Sequence, residues 1–159
     1  MPSKIDSVAL YKTRKTLREL STKTGKGTEL ISLYIPPKKA LHEVLNNLRE
    51  EYGTATNIKS DSTRNHVQDA LTKTQQRLKL FKRTPDNGIV LFVGALMTNG
   101  PGSEQVFVNE IIPPRPVQTY LYRCDDHFHL EHLMDMIKEV DIIGVISIDS
   151  TEAGFGILT

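Results

Sequence analysis

The chain has 159 residues, 38% of them hydrophobic and 25% charged, proportions of a folded chain with one core of ordinary domain size. A single cysteine excludes a disulfide framework, and no run approaches the roughly 18 apolar residues of a membrane-spanning helix. The formal net charge of +1 conceals a split: residues 1–83 carry 17 Lys and Arg against 8 Asp and Glu, whereas residues 84–159 carry 3 against 11. That asymmetry fits a face that binds a polyanion, and it fits equally two halves that neutralise each other across the fold. The opening MPSKIDSVALYKTRK is too polar for a secretory leader, and with disulfides excluded the expectation is a cytoplasmic protein with no membrane contact.

The first 20 residues read as a basic helix, with Ser3 and Asp6 spaced as a capping box and Gly25 or Gly27 as its end. ELISLYIPP alternates Ile31, Leu33 and Ile35 with other residues and is closed by two prolines, the pattern of a strand. Leu41, Val44, Leu45, Leu48 and Tyr52 mark one face of a second helix that Gly53 is expected to stop. A third helix, about residues 62–83, aligns Val67, Leu71, Thr74, Leu78 and Phe81, with Asp61, Ser62 or Thr63 as cap. The second and third helices therefore form a hairpin whose polar tip is TATNIKS. TPDNG is a turn, and IVLFVGALM is a continuous apolar run of the kind seen in a strand covered on both faces. QVFVNEII and VQTYLYRC read as further strands, a fourth helix carries Leu130, Leu133, Met134 and Ile137, and DIIGVISID with GFGILT closes the chain as strands. The expected fold is a single α+β domain: a mixed, mostly antiparallel sheet flanked by about four helices, with a protruding helical hairpin.

No catalytic template is present. GKGTEL lacks the third glycine of a dinucleotide loop and precedes a strand, where such a loop follows one. Cys124, His127, His129 and His132 have intervals that can in principle reach one zinc. The group straddles a strand end and a helix start, however, and structural sites usually hold two or more cysteines, so surface histidines, no metal and no cofactor are expected.

Two motifs carry the functional argument. Asn57-Ile58-Lys59-Ser60 lies at the hairpin tip, and Tyr122-Arg123-Cys124-Asp125-Asp126-His127-Phe128 forms Y-x-C-x-x-x-F later in the chain. With Glu51 shortly before GTATNIKS, and with ISLYIPP, QQRLKLF and DSTEAGFGILT around them, these segments resemble the N-terminal domain of archaeal and eukaryotic class-one peptide chain release factors over essentially the whole chain. The resemblance implies a decoding domain for the stop codons UAA, UAG and UGA that works on the ribosome. It also implies that Gly27, Thr28, Glu51, Asn57, Ile58, Lys59, Ser60, Tyr122, Cys124 and Phe128 are the residues facing RNA. Its implied partners are the messenger stop codon, the ribosomal RNA of the small-subunit decoding site, and a translational GTPase reached through later domains. The Gly-Gly-Gln motif that promotes peptidyl-tRNA hydrolysis belongs to such a later domain and does not occur in these residues, so residues 1–159 are expected to be a non-enzymatic part of a larger factor. The chain departs from the eukaryotic Gly-Thr-Ser loop, reading Gly27-Thr28-Glu29, which places a carboxylate near the expected RNA site and leans towards an archaeal relative. A protein-interaction module of the same ancestry that no longer decodes is the alternative.

Single-stranded RNA is read by stacking bases on aromatic rings and bonding their edges. Tyr122 and Phe128 are expected to offer stacking faces. Asn57 supplies a donor and an acceptor and Lys59 only donors, a set that accepts uracil's carbonyls and opposes cytosine's amino group. A carboxylate such as Glu51 accepts from adenine's amino group or guanine's N–H groups, and the hydroxyls of Thr28 and Tyr122 tolerate either purine. Lys12, Arg14, Lys15, Arg18 and Arg64 are expected to meet RNA phosphates.

Overall fold

The computed structural model describes residues 7–24, 29–97 and 104–138. In chain order these form α1 (Ser7–Ser21), β1 (Leu30–Ile35), α2 (Leu41–Ala55), α3 (Asp61–Leu78), β2 (Ile89–Met97), β3 (Glu104–Ile111) and β4 (Leu121–Asp125), followed by helical residues 131–138, here α4. The strands lie in the order β3-β2-β1-β4, and every pairing is antiparallel. The sheet of the described residues is thus antiparallel, in keeping with the mostly antiparallel sheet expected. The strands expected from DIIGVISID and GFGILT, the cap at Ser3 and Asp6, and the stop at Gly25 or Gly27 fall outside the described residues.

Side-chain alternation divides the interior into two layers. Ile31, Leu33 and Ile35 of β1 face the same way as Ile89, Leu91 and Val93 of β2, and that surface packs under Val44, Leu48 and Ala55 of α2 and Val67, Leu71 and Leu78 of α3. Leu30 and Tyr34 face the other way with Val90 and Phe92, beneath Leu17 and Leu20 of α1 and Leu133 and Ile137 of α4. Because helices cover both faces, all six residues of β1 are buried. The two polar residues among them are satisfied: Ser32 Oγ accepts from the His129 amide at 2.8 Å, and Tyr34 O–H donates to the His129 carbonyl at 2.6 Å. These bonds pin the segment between β4 and α4.

TPDNG turns as expected. The Gly88 amide donates to Pro85 O at 2.8 Å and Gly88 has φ +79°; a side chain there would run into the carbonyl of Ile35. Gly53 does not stop α2. The helix continues to Ala55, which is 5% exposed against the hairpin-side core, so burial of that methyl outweighs the weak helix propensity of glycine. Helix α3 ends at Leu78, earlier than expected, and Phe81 packs half-buried beyond it. On its outer side α3 is tied to the sheet edge, with Arg77 Nη1 at 2.9 Å from Glu110 Oε2 and Lys73 Nζ donating to Val106 O.

Candidate nucleic-acid interface

The hairpin reverses over five residues, 56–60. The amides of Thr56, Asn57 and Ile58 donate to Gly53 O, Thr54 O and Ala55 O at 3.2, 3.1 and 3.0 Å, winding the end of α2 tightly. The cap of α3 is Ser60, not the Asp61, Ser62 or Thr63 expected: its Oγ accepts from the Thr63 amide at 3.3 Å. Arg64 closes the turn from below, Nη1 donating to Ile58 O at 3.2 Å and Nη2 pairing with Asp61 Oδ1 at 2.6 Å. Gln68 Nε2 reaches back to Thr56 Oγ1 at 3.3 Å. Ile58 lies half-buried, packed against the hairpin-side core, where it holds the tip to the domain. The side chains of Asn57 and Lys59, by contrast, are exposed and have no hydrogen-bond or ion-pair partner among the described residues.

A second group lies where the sheet edge meets α2. The register Ile31↔Cys124 and Leu33↔Tyr122 puts Cys124 and Tyr122 on the hairpin side of β4, and both pack against that core. Tyr122 O–H donates to Cys124 Sγ. Burial is the main cause that raises the pKa of both groups and so disfavours their ionised forms, and the Glu51 carboxylate nearby raises it further. The Cys124 thiol is pushed up to about 11, so it is neutral at physiological pH and is neither a ready nucleophile nor a ready metal ligand. Tyr122, Cys124 and Glu51 therefore come together; Gly27 and Thr28 lie outside the described residues.

Three expectations are corrected. Phe128 does not offer a stacking face: it is 4% exposed in the opposite layer, edge-on to Phe92 at 5.6 Å, because the turn after β4 drops it into the core beneath α1 and α4. Glu29 is no open carboxylate; it is 3% exposed and bonded to Thr63 and His66 of α3. The basic residues do not form one face. The helix bearing Lys12, Lys15 and Arg18 packs on the far side of the sheet from the hairpin, and Arg64 is engaged within the tip. Of the four residues spaced for zinc, His132 lies edge-on to Tyr34 and Cys124 packs under the hairpin. The donors that come within 4.8 Å of one another are those of Asp125, His127 and His129. They are paired internally, His127 with Asp126 at 2.7 Å and His129 with Asp125 at 3.1 Å. Residues the sequence reading missed are His66, Gln68 and, in their actual roles, Thr63 and Arg64. The one local signal for this cap is Ser60 itself, a residue type favoured at the N-cap.

Fold and site together define an α+β domain with an internally braced helical hairpin. Residues 8–138 match the family described as eRF1 domain 1, and the chain belongs to that family. It is 49% identical over 148 residues to peptide chain release factor subunit 1 of Picrophilus torridus, covering 93% of this chain and 36% of that protein. The same-named protein of Methanocaldococcus jannaschii is 49% identical over 148 residues, covering 93% of this chain and 35% of that one. The crystal structure of an archaeal translation termination factor, aRF1, superposes with a TM-score of 0.70 at 36% identity, covering 80% of this chain and 34% of that one. The chain thus spans about a third of the length of the relatives it matches, and the archaeal leaning drawn from Gly-Thr-Glu agrees with them. Among the described residues no helix is long and apolar enough to cross a membrane.

Proposed function

We propose that this chain is the codon-recognition domain of a larger cytoplasmic release factor and that it reads UAA, UAG and UGA by direct contact with messenger bases in the ribosomal A site. Hydrolysis of peptidyl-tRNA is then the work of a separate Gly-Gly-Gln domain, and this domain is not itself an enzyme. The observation that carries the reading is the tip. The amides of Thr56, Asn57 and Ile58 and the carbonyls of Ile58 and Ser60 are occupied internally, while the side-chain amide of Asn57 and the ammonium of Lys59 stand exposed with no partner among the described residues. Such groups are poised for an external ligand that offers carbonyl acceptors beside one N–H, which is the edge of uracil. Cytosine would turn its amino donors toward the lysine, and rejection by opposed donors is stronger than rejection by a lost contact. Glu51 accepts from the purines that follow. Tyr122, whose hydroxyl still has lone pairs to offer, and Thr28 tolerate adenine or guanine.

Ribosomal RNA at the small-subunit decoding site is the surface against which the hairpin rests, and a translational GTPase acts through domains beyond these residues. Glu29, whose departure from the eukaryotic serine favours the interaction-module alternative, is paired inside the domain with Thr63 and His66 and adds no open charge beside the tip, which supports the decoding reading. The test is peptidyl-tRNA hydrolysis by a full-length factor carrying residues 1–159, on ribosomes programmed with UAA, UAG, UGA or the sense codon UGG. Stop-only hydrolysis that falls about 10- to 100-fold with Lys59→Ala, alike on all three stops, is expected by analogy with base-edge contacts. Hydrolysis indifferent to the codon or to Lys59 would refute the decoding role.

A further inference from the structure

A carboxylate that is 3% exposed needs partners, because an isolated buried charge is strongly disfavoured. Glu29 finds both of its partners on one helix. Its Oε1 accepts from Thr63 Oγ1 at 3.4 Å and its Oε2 lies 3.0 Å from His66 Nδ1, contacts that span 34 and 37 residues of sequence. Thr63 is bonded twice over, since its amide also donates to Ser60 Oγ, the last residue of the tip motif. A continuous chain of polar contacts therefore runs from the start of β1, through Thr63, to Ser60. The other end of that chain is as well placed. Leu30, the next residue after Glu29, pairs with Asp125, and Ile31 pairs with Cys124, so Glu29 stands beside the strand that carries Tyr122 and Cys124.

We propose that Glu29, acting through Thr63 and His66, is a positioning residue that fixes the spacing between the hairpin tip bearing Asn57 and Lys59 and the sheet edge bearing Tyr122 and Cys124. The proposal rests on the decoding reading and deepens it. Groups that read the first base and groups that read the later bases sit on different elements, and a three-base ligand is bound as one unit only if those elements keep a set distance. The apolar layer beneath the hairpin cannot supply that register alone, because hydrophobic contact is non-directional. Two bonds to one carboxylate are directional. A shift of about 1 Å in such an arrangement is enough to cost up to a hundredfold in productive binding.

The experiment uses the full-length factor on the three stop codons, measuring KM for programmed ribosomes and kcat at saturating factor, with the melting temperature of each variant alongside. Glu29→Ala is expected to raise KM about tenfold on all three stops and to leave kcat within about twofold, the pattern of lost positioning. Glu29→Gln should recover most of the loss, since its amide oxygen still accepts from Thr63 and its amide nitrogen can face His66. The double variant Thr63→Val with His66→Leu should reproduce Glu29→Ala from the other end and serves if that variant fails to fold. Wild-type KM in the double variant, or a Glu29→Ala deficit that Glu29→Gln does not relieve and that tracks a lowered melting temperature, would overturn the positioning role. Lys59→Ala in the same assay separates the two ideas. Collapse with Lys59→Ala beside silent Glu29 and Thr63/His66 variants sinks the strut alone, whereas silence of Lys59→Ala sinks decoding and the strut's role with it.

Discussion

The tip of the hairpin and the edge of the sheet treat their polar groups in opposite ways. At the tip the backbone is bonded inward and the side chains of Asn57 and Lys59 are left to solvent. At the edge the side chains themselves are bonded to one another, Tyr122 to Cys124, and burial holds both in their neutral forms. Where a backbone is satisfied locally, its side chains can be committed to a ligand. Where a side chain sits on a packed strand, its own bonds must be closed within the protein, and it acts on a ligand through shape and placement more than through charge.

Four measurements can break or sharpen that contrast. The largest effect concerns Cys124. With its thiol pushed up to about 11, the thiolate at pH 8 is roughly a hundredfold scarcer than for an ordinary cysteine, and alkylation by iodoacetamide should be slow and rise with a midpoint near 11. The folded state holds this proton longer than the unfolded chain does, so stability is unaffected below the ordinary cysteine range and falls as pH rises from there through about 11. A midpoint near the ordinary value would show the edge to be open like the tip. Next comes Leu71→Ala, which removes a fully buried side chain of α3 from the layer shared by both regions; a loss of about 3 kcal/mol in urea unfolding is expected. Ser60→Ala, which uncaps α3 at the tip, should cost about 1 kcal/mol in the same measurement. Smallest is Lys59→Ala, expected to change stability by less than about 0.5 kcal/mol, because its exposed side chain has no partner among the described residues. A Lys59 variant that unfolded readily would mean that the tip, too, is built from its side chains.

The helical hairpin was legible because Leu41, Val44 and Leu48, then Val67, Leu71 and Leu78, repeat at helical spacing and do face one core. The pairing of Tyr122 and Cys124 on one side followed from the strand period. Most of what failed depended on contacts distant in sequence. Gly53 read as a stop because its local propensity is poor, yet Ala55 beyond it is held by the sheet. Phe128 read as a ring available for stacking because an aromatic beside polar residues gives no hint of which layer it enters, and Phe92 takes it into the core. Glu29 read as an exposed acid because Thr63 and His66, its partners, lie more than 30 residues away in the chain. The Ser60 cap was within reach of the sequence, but a run of Asp61, Ser62 and Thr63 directly after it supplied three plausible competitors.

The bond from Arg64 to the carbonyl of Ile58 has a consequence for binding kinetics and entropy. A five-residue turn left loose would have to be ordered at each encounter, at roughly 1 kcal/mol or more of backbone entropy per residue. Here that ordering is completed when the domain folds, before any ligand arrives. In the decoding role proposed above, the encounter immobilises little beyond the side chains of Asn57 and Lys59, so a brief visit is enough to test a triplet and a mismatch is released quickly. On that proposed reading, a hairpin ordered in advance is suited to sampling many wrong sequences rapidly for the sake of holding the right one.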